Sequence, residues 1–338
     1  MIIIMRRSAT EQNIEAVIAK IRDMGFEASV SHGTERVVVG LVGKCRQMDA
    51  AGQFRSLPGV EDVVPVTKRL FHTSRHYKKE NSLIDIENIQ VGGEEIVVMA
   101  GPCAVERSDQ VFFTAMAVKE AGAKVIRGGA FKTQDTPEDF PGLGEQGLEI
   151  LNEAKKETGL LVITEVKTPQ EVELADKYAD IIQIGARYMQ SYDLLACVAE
   201  RGKPIMLRRG IMSSVEELLL SAEYLMNRGN NRIMLCERGI RTFETLTPYT
   251  LDLCAVPILK RLSHLPVIVD PSHGTGDARY VPAMAKAAIA CGADGLLIEV
   301  HPNPKLALSH GFQAIEPQQF IDLMEELRAI ARAVGRRL

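Results

Sequence analysis

The chain has 338 residues, 46% hydrophobic and 25% charged, and its 40 lysines and arginines against 44 aspartates and glutamates leave a net charge of −4. That balance excludes a general nucleic-acid or membrane-surface binder and points to a small partner. The length accommodates one large domain of roughly 250 residues and a second of roughly 80. No apolar run approaches the roughly 20 residues that span a bilayer. Met1 to Arg7 has neither the long apolar stretch nor the cleavage site of a signal peptide, so a cytoplasmic location is expected. Cys45, Cys103, Cys197, Cys236, Cys254 and Cys291 form no CxxC pair, which argues against a disulfide scaffold or a zinc knuckle.

Residues 1–67 read as strand, helix, strand, strand, helix, strand. Met1 to Met5 is β-rich, and Thr10 to Met24 carries Ile14, Val17, Ile18 and Ile21 at helical spacing. Ala28 to Ser31 and Arg36 to Val42 predict two strands around the polar turn His32 to Glu35. Gln47 to Ser56 predicts a second helix, and Val60 to Val66 a closing strand after Leu57-Pro58-Gly59. This βαββαβ order is that of a ferredoxin-like domain. With no aromatic pair placed to stack bases, it is expected to regulate or oligomerise rather than bind RNA. Between it and the next domain, residues 68–94 read as a basic linker followed by a short hairpin, Leu83 to Ile86 with Ile89 to Val91.

From residue 95 a second rhythm runs to residue 338. Apolar runs at Ile96 to Ala100, Lys124 to Ile126, Leu160 to Thr164, Asp180 to Ile184, Pro204 to Leu207, Arg232 to Leu235, Pro266 to Val269 and Asp294 to Ile298 alternate with segments of helical period. Eight such units predict a (β/α)8 TIM barrel. No G-x-G-x-x-G follows a strand, which removes support for a dinucleotide fold.

In such a barrel the chemistry sits where strands end. Strand 1 ends in Gly101 to Glu106, strand 2 in Arg127-Gly128-Gly129-Ala130-Phe131-Lys132, strand 3 in Glu165 and strand 4 in Gly185-Ala186-Arg187. Strand 5 ends in Arg208-Arg209-Gly210, strand 6 in Cys236 to Gly239, strand 7 in Asp270-Pro271-Ser272-His273 and strand 8 in Glu299 to Pro302. Arg127, Lys132, Arg187, Arg208 and Arg238 are therefore expected to converge on one mouth with few neutralising groups nearby. Guanidinium forks grip phosphate or carboxylate with charge-assisted bonds, so the ligand should be small and highly anionic. Solvated rim charges paired with Glu165 and Glu237 are the blander alternative.

Cys103, His273 and Glu299 fall at the ends of strands 1, 7 and 8, which become neighbours when the barrel closes. Thiolate, imidazole and carboxylate suit a divalent Mn, Fe, Co or Zn ion able to polarise a carbonyl. A buried thiol beside a hydrogen-bonded histidine is the alternative.

Several blocks resemble the enzymes that condense phosphoenolpyruvate with an aldehyde: Ala100-Gly101-Pro102-Cys103, Arg127-Gly128-Gly129-Ala130, Ile182 to Arg187, Leu235 to Glu244, and Val269-Asp270-Pro271-Ser272-His273. The chain is most similar to the 3-deoxy-D-arabino-heptulosonate 7-phosphate (DAHP) synthases that carry an N-terminal ferredoxin-like regulatory domain. The resemblance implies condensation of phosphoenolpyruvate with erythrose 4-phosphate, giving DAHP and phosphate at the start of aromatic amino acid synthesis by the shikimate route. It further implies phosphoenolpyruvate binding by Arg127, Lys132, Arg187 and Arg238, with Arg208 at a family lysine position and Lys132 also moving a proton. Cys103, His273 and Glu299 are implied as metal ligands, and Cys103, Lys132 and His273 as catalytic. His310 stands where the family has an aspartate ligand and would make the set softer. A homotetramer and a small effector at the N-terminal domain are also implied.

Departures gather on the acceptor side. Lys132-Thr133-Gln134-Asp135-Thr136 replaces the family's Lys-Pro-Arg-Thr-Ser, so Gln134 is neutral and Asp135 repels a phosphate. Tyr188 and Pro248-Tyr249 replace Asn and Arg-Asn. Gln134, Asp135 and Tyr188 thus outline a rebuilt acceptor pocket. A paralogue using a different, unphosphorylated aldehyde and a non-catalytic binding relative are the alternative readings.

Overall fold

A computed structural model describes residues 2–32, 36–42, 50–64, 70–133 and 136–338. The chain divides into two compact units, Met1–Phe71 and His72–Leu338.

The first unit contains β1 (Ile2–Met5), α1 (Glu11–Asp23), β2 (Glu27–His32), β3 (Val37–Val42), α2 (Ala50–Arg55) and β4 (Val60–Val64). Its sheet runs β2-β3-β1-β4 with every neighbour antiparallel. Thr10 starts α1 through a reciprocal capping box with Asn13, which satisfies amides the first turn leaves open. Ile14, Val17 and Ile21, on one helical face, pack with Ile3, Met5, Val39 and Phe54. Residues 43–49, where the second helix was expected to begin, and 65–69, at the end of the closing strand and the linker start, lie outside the described residues.

The second unit opens with a hairpin, β5 (Ile84–Ile86) and β6 (Ile89–Val91). Eight parallel strands follow: β7 (Val97–Gly101), β8 (Val125–Arg127), β9 (Leu161–Val166), β10 (Ile181–Ile184), β11 (Ile205–Arg208), β12 (Ile233–Glu237), β13 (Val267–Val269) and β14 (Gly295–Glu299). They close into a barrel through β14 and β7, as the eight apolar runs predict. The helices that alternate with them include α3 (Ser108–Ala121), α4 (Glu145–Thr158), α5 (Pro169–Tyr178), α6 (Tyr192–Glu200), α7 (Val215–Asn227), α8 (Ala255–Leu262), the short α9 (Pro271–Thr275), α10 (Val281–Ala290) and α11 (Pro317–Ala333).

The hairpin is more than a connection. Ile84, Ile86 and Val91 join one buried cluster with Val97, Val125, Leu161 and Ile181, the first residues of β7, β8, β9 and β10. The apolar hairpin thus plugs the end of the barrel where strands begin, and the polar strand ends are left to build the opposite mouth.

Candidate active site

The mouth is assembled first by close backbone approach between β7 and β8. A Cβ at Gly101 would lie 2.2 Å from the Arg127 carbonyl oxygen, and one at Gly129 would lie 2.8 Å from the Cys103 carbonyl oxygen and 2.8 Å from Lys132 Cδ. With no side chain at 129, the Cys103 carbonyl accepts from Gly129 N at 3.1 Å and Lys132 folds back over the strand ends. Its Nζ donates to Cys103 Sγ at 3.0 Å. The Gly-Gly step expected to admit a ligand therefore also brings an ammonium onto a thiol.

Cys103, His273 and His310 offer donor atoms that all lie within 4.8 Å of one another. Burial alone would raise the Cys103 pKa, but Lys132, hydrogen bonds with His273 and His310, and Arg127 outweigh it and hold the thiol well below its ordinary value. A thiolate beside cations is the form that ligates metal. The His273 ring places Nδ1 2.8 Å from Asp270 Oδ2, leaving Nε2 for the cluster, the arrangement in which a carboxylate orients a metal-binding imidazole. His310 reaches Cys103 from a left-handed backbone position at φ 49°, with Nδ1 3.3 Å from Sγ. Its loop is tied down where Glu106 Oε1 accepts the Leu308 amide at 2.9 Å. The donor set fits a divalent transition metal.

Glu299 stands beside this trio rather than within it. Its Oε1 lies 3.4 Å from His273 Nε2 and accepts from Arg127 Nη1 at 2.8 Å, while Oε2 accepts from Gln313 Nε2 at 2.7 Å.

The cations are less bare than their spacing in the sequence suggests. Arg127 pairs with Glu299; Arg208 pairs with Asp270 and faces Glu165 Oε2 at 3.6 Å, and Glu165 accepts from Gln183 Nε2 at 2.6 Å. Burial would push the Asp270 carboxyl up, but His273 and Arg208 hold it far below the ordinary range. Asp270 therefore joins the buried arginines of this mouth to the candidate metal site. The sequence places it at a strand end without marking this role, although an aspartate three residues before the histidine at a helix start is the available signal: its Oδ1 caps α9 by accepting from His273 N at 2.9 Å.

Four guanidinium nitrogens at this mouth are buried with no hydrogen-bond partner among the described residues: Arg127 Nε, Arg208 Nε, and Arg238 Nε and Nη1. Buried donors are rarely left so, and here three residues leave them together. Glu237 is not a rim partner of these groups. It is fully buried and accepts from Arg209 Nη1 at 2.8 Å, as does Asp252. Arg187 and Tyr188 occupy a 3-10 turn after β10, where Arg187 is exposed. Gln134 and Asp135 lie outside the described residues.

Comparison with known proteins matches both parts of the chain. Residues 75–334 match the DAHP synthetase I family and residues 1–68 the DAHP synthase ferredoxin-like domain. A phospho-2-dehydro-3-deoxyheptonate aldolase of Thermotoga maritima is 44% identical over 99% of both chains. A 2-dehydro-3-deoxyphosphooctonate aldolase of Syntrophobacter fumaroxidans is 32% identical over 72% of this chain and 90% of its own length. The crystal structure of the Thermotoga maritima DAHP synthase superposes with a TM-score of 0.87 over 99% of this chain and 98% of that one, at 43% identity. A truncated form of the Thermotoga enzyme covers 80% of this chain and 99% of its own, with a TM-score of 0.76 and 44% identity. With its barrel and its N-terminal unit both matched and a full-length relative at this identity, the chain belongs to the DAHP synthetase I family.

Proposed function

We propose that the mouth of the barrel condenses phosphoenolpyruvate with erythrose 4-phosphate to form DAHP. The reading rests on the four partnerless guanidinium nitrogens of Arg127, Arg208 and Arg238, set beside the Cys103, His273 and His310 cluster. Arg127, Arg238, Arg187 and Lys132 hold the phosphate and carboxylate of phosphoenolpyruvate. Arg208 adds its Nε while its other nitrogens hold Asp270 and Glu165. C3 of phosphoenolpyruvate bonds to the aldehyde carbon, and Lys132 Nζ delivers a proton to the aldehyde oxygen. Water then adds at C2 and returns a proton to Lys132; the bond from C2 to the phosphate oxygen breaks as the C2 hydroxyl becomes a ketone and passes its proton to the phosphate, which leaves with the cationic clamp stabilising its charge. A divalent ion held by Cys103, His273 and His310, with Glu299 beside them, would supply Lewis-acid polarisation of the aldehyde. The sulfur and two nitrogens favour Zn, Fe or Co over Mn.

Gln134, Asp135 and Tyr188 form the acceptor side. The N-terminal unit binds a small effector, the assembly is a homotetramer, and the enzyme acts in the cytoplasm. Phosphate release from phosphoenolpyruvate, measured with a panel of aldehydes and divalent metals, tests the reaction. Release with erythrose 4-phosphate, lost in Cys103→Ala together with bound metal, is expected. Release only with a different aldehyde would move the acceptor assignment, and metal-independent turnover would remove the role of the cluster.

A further inference from the structure

Arg238 differs from the other buried arginines of this mouth. Arg127, Arg208 and Arg209 each sit on a carboxylate. Arg238, 5% exposed, has no carboxylate partner among the described residues and sits on a ring, with Cζ 3.9 Å from the centroid of Tyr249. Burial and the neighbouring Arg208 hold its pKa below the ordinary arginine value, against opposing contributions from Asp270 and Tyr249.

The backbone fixes this contact. After β12 the chain turns out at Gly239, φ 88°, and returns through a two-way bridge in which Ile240 N donates to Thr250 O at 3.0 Å and Thr250 N to Ile240 O at 2.9 Å. The Thr242 and Thr250 hydroxyls meet at 2.6 Å, and Thr247 Oγ1 donates to Tyr249 O at 2.8 Å. A Cβ at Gly239 would lie 2.8 Å from Tyr249 Cβ, so glycine there admits the ring's close approach.

We propose that Tyr249 is a positioning residue of the anion clamp, holding Arg238 in place as an uncompensated cation whose Nε and Nη1 stay available to a phosphate or carboxylate. The physical reason is a choice among possible neighbours. A carboxylate would fix the guanidinium equally well but would occupy its donors and cancel its charge. An aliphatic side chain would leave both free but would not attract the cation. An aromatic face attracts the cation and leaves Nε and Nη1 without a partner among the described residues.

The inference rests on Arg238 receiving the anion, so its test separates the two claims. Inorganic phosphate binding to the full chain is measured by titration calorimetry, with KM and kcat for phosphoenolpyruvate and the melting temperature measured alongside. Arg238→Leu is expected to abolish phosphate binding; wild-type-like binding in that variant would overturn the clamp reading and the inference together. With the clamp upheld, Tyr249→Phe keeps the ring and is expected to bind within about threefold of wild type. Tyr249→Leu is expected to raise the phosphate Kd and the phosphoenolpyruvate KM about tenfold, with melting temperature little changed. Equal affinity in the Leu variant, or an equal loss in the Phe variant, would overturn the role of Tyr249 alone.

Discussion

Asp270 shows at the residue scale how one buried carboxylate serves two neighbours. It accepts from Arg208 and from His273, and it also caps the helix on which His273 sits. Asp270→Asn keeps the shape but removes the charge that balances Arg208. The variant is expected to lose about 3–5 kcal/mol of stability, read by urea denaturation, because a buried cation is left uncompensated. Metal affinity should fall about 10–100-fold, read by competition with a chelator, because His273 loses its orienting partner. Unchanged metal affinity would show that His273 does not depend on this bond. The residue types at the mouth were legible in the sequence, since Arg127, Lys132, Cys103, Arg208, Arg238 and His273 all stand at strand ends. Their pairing was not, because Asp270 and Arg208 are 62 residues apart and meet only when the strands close.

The elements divide the barrel into a supporting end and a chemical end. Ile84 is buried with the first residues of four strands, at the opposite end from the buried arginines where the strands end. Ile84→Ala should cost about 2–4 kcal/mol of stability while leaving phosphoenolpyruvate KM unchanged, a pair of outcomes checked by denaturation and steady-state kinetics. On α7, Glu223 anchors the start of this unit, accepting from the backbone amides of His72 and Thr73 at 2.9 Å each. Burial would raise its pKa, but these amides and the side chains of His72 and Thr73 hold it below the ordinary glutamate value. The stabilisation is therefore complete above the unfolded glutamate pKa of about 4.3 and is lost as pH falls through the lower folded value. Glu223→Gln should cost about 1–3 kcal/mol at neutral pH. Its deficit against wild type should close as the wild-type carboxylate becomes protonated in acid, and a gap independent of pH would assign the loss to packing. The hairpin was legible as β-structure from Leu83 to Val91, but its burial depends on strands that follow it in the chain.

At the scale of the whole molecule, two compact units each carry their own apolar core. The truncated Thermotoga structure matches 80% of this chain, so residues 72–338 expressed alone are expected to fold and to retain phosphate release. Loss of inhibition by a small effector in the same truncation, with turnover preserved, is the result expected if the N-terminal unit regulates. Inhibition that survives the deletion would place the effector on the barrel. No helix among the described residues is long and apolar enough to cross a membrane.

The sequence by itself determined the architecture and the chemical inventory, because strand and helix periods are local properties and because charged residues that interrupt apolar runs mark strand ends. Tertiary structure decided which of those charges neutralise one another. Arg127, Arg208 and Arg209 look alike in the sequence to Arg238, yet the first three rest on Glu299, Asp270 and Glu237 and the last rests on the face of Tyr249. That difference is made across strands and loops, over separations that periodicity does not reach, and it leaves Arg238, among the described residues, without the carboxylate that each of the other three has.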